Sequence, residues 1–339
     1  MPLGSQAWLY AWDFARDSGR FLQLDRETLR RSSFLDQRIG ADTTHYREVP
    51  IAQLLHEPLP NALDGNPPVF IFHTAFCCST LLARSLDLPG RSLSLREPAA
   101  LLQLADLRRG WIETARKESG LLSLTLKLLA RFREGDERLI VKPTNVVNNI
   151  APTLLKHIPG TRAILLHDDL EAFLIAVLKR PRESARGLTL FLERLLADPS
   201  GRQWTRTHPV PEALAERAVL VWALQIRALE SWLTQDSTAD VRTLSAGQLL
   251  TSPATVLEAC ARWSGIPLTA VEADEIASGP AWSHHAKHPG TTYTPADRSA
   301  DQARARRLFA EPVHKGFAWA DKLGVAKHAD FPPALRLLA

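Results

Sequence analysis

Short apolar runs bounded by chain breakers recur along this sequence. The first is Val69-Phe70-Ile71-Phe72, set between Pro67-Pro68 and the turn Thr74-Ala75-Phe76-Cys77-Cys78. It predicts a buried strand. Ser79 or Thr80 then caps a helix whose apolar face is Leu81, Leu82 and Leu86. Arg91 to Leu95 alternates as a second strand ending in Arg96-Glu97-Pro98, with Pro98 opening a helix through Leu107. The leucines between Leu121 and Leu129 suggest a mostly buried helix over Trp111–Arg133. Arg138–Lys142 is a third strand, stopped by Pro143, and Thr144-Asn145 turns into a helix containing Ile150 to His157. Arg162–His167 is a fourth strand, and Asp168-Asp169 caps a helix over Leu170–Leu178.

Further on, helices are expected over Leu188–Leu196 and Pro211–Leu233, the second with Trp222 and Trp232 turned to the core. A fifth strand is Val241–Ser245, followed by a helix over Pro253–Trp263 that Gly265 ends. An amphipathic helix closes the chain from Ala300 to Leu323. Ahead of Pro67, Phe21–Leu24 reads as an edge strand, Asp25–Leu35 as helical, and Val49–Leu55 as a short element. Asp36, Arg38 and His45 read there as surface contacts.

Strand and helix in alternation argue for an α/β fold, a parallel β-sheet flanked by helices on both faces. Residues 1–66 form an N-terminal lead-in packed on the core, and residues 67–339 the α/β domain with helical insertions. In such sheets ligands bind at the carboxyl ends of the strands. His73, Arg96, Glu97, Lys142, Thr144, Asn145 and His167 all fall at such ends.

Composition narrows the classes. A net charge of +4 suits an anionic ligand, and no basic stripe points to nucleic acid. The three cysteines, Cys77, Cys78 and Cys260, make neither a disulfide framework nor a zinc-finger pattern, and they suit a reducing compartment. No signal-peptide pattern and no uncharged span of membrane length is found, so a cytoplasmic protein without a membrane partner is expected.

Strand, tight loop and helix N-terminus is a phosphate-binding geometry, and equally an ordinary βα turn. Glu97 is either a base or the acidic start of the Pro98 helix, and Lys142 either a charge stabiliser or an edge lysine. His167 is a phosphate contact, an acid or a satisfied strand-end histidine. Cys77 and Cys78 are either helix-terminal nucleophiles, with His73 or His167 nearby, or packing residues. Lys179–Arg186 reads as a solvated basic loop. His284, His285 and His288 lack an accompanying carboxylate or cysteine, so no metal is expected.

Taken in order from Pro68 onward, these stretches resemble the P-loop-related sulfotransferase superfamily. Ser79-Thr80-Leu81-Leu82 is similar to the family's hydroxyl pair and first helical turn, and Leu95-Arg96-Glu97-Pro98 to its Glu-Pro after the second strand. Leu139–Asn145 resembles the strand bearing the sulfonate-facing lysine, and Arg162–Leu178 the 3′-phosphate strand and helix. Gln248-Leu249-Leu250, Pro253, Val256-Leu257 and Trp263-Ser264-Gly265-Ile266-Pro267 resemble the late strand–helix unit.

The resemblance implies a sulfuryl donor, 3′-phosphoadenosine 5′-phosphosulfate, and a hydroxyl acceptor. It implies that Thr74, Ala75, Phe76, Cys77, Cys78, Ser79 and Thr80 form the phosphosulfate loop. Glu97, Lys142 and His167 become the catalytic set, Arg180 with Arg182 and Arg186 would bind the 3′-phosphate in place of the family arginine, and Lys287, His288 and Arg298 lie where family members close a C-terminal basic flap over the nucleotide. The departures are specific. Phe76, Cys77 and Cys78 stand where the family has Lys or Arg, Ser and Gly. His167 replaces an arginine, Ile175 a serine, and Ser245-Ala246 a Tyr-Glu pair. A kinase-like phosphotransferase using ATP or GTP, and a catalytically inactive nucleotide-binding protein of the same fold, are the alternatives.

Overall fold

The computed structural model describes residues 3–39, 42–59, 63, 65–233, 240–285, 288–292 and 295–338. Three antiparallel strands come first, β1 (Ala7–Asp13), β2 (Ser18–Gln23) and β3 (Arg47–Pro50), ordered β1-β2-β3. The expected edge strand at Phe21 is therefore the middle one. Ala7–Asp13, with Trp8, Leu9 and Trp12 buried, pairs along its other side.

The central sheet has five parallel strands: β4 (Val69–His73), β5 (Ser92–Arg96), β6 (Arg138–Lys142), β7 (Arg162–His167) and β8 (Asp240–Ser245). Their spatial order is β5-β6-β4-β7-β8. Side chains alternate between two cores, as the strand period of two requires. Phe70, Phe72, Leu139, Val141 and Leu165 enter the larger core, together with the helices after β5, β6 and β7 and the buried face of the small sheet. Ile71, Ile140, Ile164 and Leu244 enter the smaller core, with the helices after β4 and β8. The result is a three-layer α/β sandwich with helices on both faces. No helix among the described residues is long and apolar enough to cross a membrane.

The strands match the sequence pattern closely, the helices less so. The helix after β4 is Ser79–Ser85, and its N-cap is Cys78 rather than a hydroxyl. The helix expected from Trp111 begins only at Glu118 and ends at Ala130. Thr144 leads into a 3-10 turn, Asn145–Ile150, before the helix Ala151–His157. The supposed basic loop at 179–186 is mostly helix, since Pro181 sits at the first position of a helix running to Ala197. The closing segment is two helices, Pro295–Leu308 and Ala310–Lys322, broken at Phe309.

Helix placement creates the site. The chain leaves β4 toward one face, while its neighbours β6 and β7 both hand on to helices on the other. The loop after β4 therefore lies at a topological switch point, where open α/β sheets form their crevice.

Candidate functional site

The loop Thr74–Cys78 is built by long-range hydrogen bonds. Thr74 N–H donates to Leu166 O at 3.0 Å, tying the loop to β7. Ala75 N–H donates to Gln225 Oε1 at 2.7 Å. Gln225 is fully buried on the helix Leu214–Leu233, and its Oε1 also accepts from Asn145 Nδ2 at 3.1 Å. One side chain thus joins the ends of β4 and β6. His73 adds a second tie, its ring nitrogens lying 2.7 Å from Thr74 O and 3.0 Å from Pro143 O. Burial, then Lys142, pushes its pKa down to about 3, against the two carbonyl contacts, which favour a protonated ring.

Phe76 and Cys78 have φ of 62° and 63°, the left-handed region that L-residues avoid. Glu97, with φ of 55°, does the same immediately before Pro98. Only one other described non-glycine residue, Asp17, has positive φ. Three of the four therefore stand at one end of the sheet, and such outliers persist where surrounding structure imposes them.

Glu97 and Lys142 meet directly, Lys142 Nζ donating to Glu97 Oε1. The Lys142 side chain is 1% exposed and that of Glu97 13%. Arg38 Nη2 donates to Glu97 Oε2 at 2.8 Å. Burial raises the Glu97 pKa, but Lys142 and Arg38 outweigh it and bring it down to about 2. Glu97 is thus ionised at neutral pH and has lone pairs left for a further donor. It does not cap the following helix, whose N-cap is Pro98.

On the β7 side, burial lowers the His167 pKa to about 4, and its Nδ1 is buried without a partner. Its ring stands edge-on to Phe331, with centroids 4.9 Å apart. A neutral imidazole there lacks the charge of an arginine. Asp168 follows, its pKa raised by burial to about 7 even though the Asp169 N–H donates to its carboxylate and works the other way. Nothing in the sequence marked Asp168 as more than a cap, and the cap itself is Asp169.

Two expected site residues, Arg96 and Cys77, are taken up by structural contacts. Arg96 is fully buried and its guanidinium is spent on Ser32 O, Ser94 O, Leu29 O, Arg30 O and Asp87. Cys77 is buried, its Sγ 2.9 Å from Thr74 O, and burial pushes the thiol up to about 12. A protonated, covered thiol corrects the nucleophile reading for Cys77. Arg180 is the N-cap residue of the helix Pro181–Ala197, with Glu183 3.9 Å away. Lys287 lies outside the described residues. Arg298 lies in the helix Pro295–Leu308, with its side chain outside the description. The side chains of His284, His285 and His288 are likewise outside it, and among the described residues no His, Cys, Asp and Glu group is arranged to hold a metal.

The loop offers donors to an anion. Thr74 Oγ1 is buried with no hydrogen-bond partner. The N–H groups of Ser79 and Thr80 donate to no carbonyl among the described residues. Phosphate oxygens suit such groups. The nearby cation is Lys142, whose charge is felt as far as Cys77.

No family model matches the chain, and no curated protein sequence does. Among solved structures, the sulfotransferase domain from the curacin biosynthetic pathway is similar, at 14% identity and a TM-score of 0.43 over 78% of this chain and all of that one. The sulfotransferase domain of the Synechococcus PCC 7002 olefin synthase gives 17% and 0.41, over 72% of this chain and 94% of that one. A sulfotransferase from Alicyclobacillus acidocaldarius gives 16% and 0.36, over 74% and 96%. At that identity and overlap, the likeness carries no argument about donor, acceptor or catalytic residues.

Proposed function

We propose that this chain is a nucleotide-dependent transferase that moves a sulfuryl group from 3′-phosphoadenosine 5′-phosphosulfate to a hydroxyl acceptor. One observation carries the reading. The left-handed residues Phe76, Cys78 and Glu97 gather at the switch-point end of the sheet, where Lys142 and Glu97 form a buried ion pair. Strain and buried charge concentrated in one crevice mark functional sites.

Thr74, Ser79 and Thr80 are the residues to hold the 5′-phosphosulfate, through hydroxyl and N–H groups. When bound, the donor supplies an activated sulfuryl group whose bond to the phosphate breaks on transfer. Lys142 supplies the positive charge that the loop lacks at Phe76. Glu97, ionised at neutral pH, accepts the hydrogen bond of the acceptor hydroxyl and takes its proton as the new S–O bond forms. A Lys142 that turned from Glu97 toward the donor would leave Glu97 more basic, since its acidity comes partly from that contact.

The neutral His167 and the apolar Phe76 favour the second reading, a nucleotide-binding protein of this fold without turnover. Calorimetry with 3′-phosphoadenosine 5′-phosphate and with ATP tests the donor class. Heat with the former and none with ATP is expected, and the reverse would sink the proposal. Glu97→Gln then separates the two readings. Binding retained with turnover lowered by about a hundredfold or more fits a base, whereas no turnover in the wild type fits the inactive protein.

A further inference from the structure

Both oxygens of the Glu97 carboxylate are held. Lys142 takes Oε1 from β6, and Arg38 takes Oε2 at 2.8 Å from a stretch ahead of the central sheet. That stretch is pinned beside the site. Leu35 N–H donates to Arg96 O at 2.7 Å, and Ala99 N–H donates to Leu35 O at 3.2 Å. Arg84 Nη1 donates to Ser33 Oγ at 3.2 Å.

The Arg38 guanidinium is itself fixed. Its Nε lies 2.9 and 3.1 Å from the two oxygens of Asp36, and its Nη2 bonds both Asp36 and Glu97. Its central carbon is 3.5 Å from the ring centroid of Phe34. A planar fork stacked on an aromatic ring holds a direction that an ammonium on a flexible stem does not. A second cation also reaches that ring, Lys142 Nζ at 5.9 Å from its centroid.

We infer that Arg38 is a positioning residue for Glu97: it orients the carboxylate and, with Lys142, sets its affinity for a proton. The groups facing Glu97 are Lys142 from β6, His73 from β4 and Arg38, with Asp36 behind Arg38. Among the described residues, removing Arg38 leaves Lys142 as the only permanent cation on the carboxylate, which then binds a proton more readily and turns more freely. The catalytic consequence rests on the reading of Glu97 as a base, while the effect on its titration does not.

The test is a carbon-13 NMR titration of the labelled glutamate carboxyls in the full chain, with Glu97→Gln identifying the signal. In Arg38→Ala and Arg38→Gln the Glu97 midpoint is expected to rise by about one to two pH units, and by less in Arg38→Lys. Calorimetric affinity for 3′-phosphoadenosine 5′-phosphate is expected to stay within about threefold, because Arg38 bonds Asp36 and Glu97 and, among the described residues, no group of the loop. If turnover is present, the acid limb of kcat/KM moves up with the midpoint, which a merely structural residue would not cause. A stationary Glu97 midpoint in folded Arg38→Ala and Arg38→Gln overturns the inference. A moving midpoint in a chain that ignores the nucleotide supports it while removing the sulfuryl-transfer reading, so the two fail separately.

Discussion

The two flanks of the loop after β4 sit on one sheet edge and solve burial in opposite ways. On the β6 side the charges are kept and paired: Lys142 with Glu97, Glu97 with Arg38, Arg38 with Asp36. On the β7 side His167 is driven toward its neutral form and Asp168 toward its protonated one, with no cation among the described residues recruited to either. A buried group either finds a counter-charge or gives up its own. The first flank therefore keeps its charges at neutral pH, and the second sheds them or holds them only weakly.

The largest test of the contrast is Lys142→Ala. It leaves Glu97 without its nearest cation, and losing one partner of a buried pair costs roughly 3–5 kcal/mol. Chemical denaturation should show that loss, with turnover down by about a hundredfold or more. Lys142→Met, restoring volume without charge, should recover part of the stability and none of the turnover. Equal turnover in wild type and Lys142→Met would show that the charged flank is structural only.

The pH dependence of stability is next. The ordinary values are 3.8 for Asp168 and 6.5 for His167, against folded values of about 7 and about 4. Asp168 contributes stability that is full below its ordinary value and lost as pH rises toward 7. His167 contributes stability that is full above 6.5 and lost as pH falls toward 4. Between these limits the two slopes oppose each other. Asp168→Asn should leave stability rising with pH across the window, and His167→Gln should leave it falling. Each slope is roughly 0.7–1.4 kcal/mol per pH unit, the lower figure allowing for partial solvation. Denaturation midpoints that run parallel in wild type and both variants would remove the claim that the β7 flank is uncharged by burial.

The smallest effect belongs to the loop between the flanks. Cys78→Gly relieves a left-handed L-residue, a gain of ~1–2 kcal/mol, against a glycine entropy cost of ~0.5–1. A net gain of about 0.5–1 kcal/mol is expected by denaturant midpoint. Phe76→Gly relieves the same strain but forfeits the contact with Phe173, 5.5 Å between ring centroids, and should destabilise. A destabilised Cys78→Gly would mean that the thiol side chain packs better than the backbone suffers.

The strands β4 to β8 were legible because apolar runs and breakers are local signals. Val69–Phe72, closed by prolines on one side and a small-residue turn on the other, needs no partner to be read. Glu97 and Lys142 were legible as strand-end residues, and their meeting followed once both ends lay on one edge. Helix limits were less legible, since the bounds at Glu118 and Pro181 depend on what each segment packs against. Asp168 escaped notice because its raised pKa comes from burial, which the residue type does not encode.

The sequence by itself determined the α/β class, the five strands and the residues that end them, through side-chain period and turn chemistry. Tertiary structure alone decided the order β5-β6-β4-β7-β8, which puts the β4 loop at the switch point. It also brought Arg38 to Glu97 across 59 residues and Gln225 to Ala75 across 150. Pairing partners are chosen by which buried surfaces and hydrogen bonds close together in space, and no local pattern carries that choice.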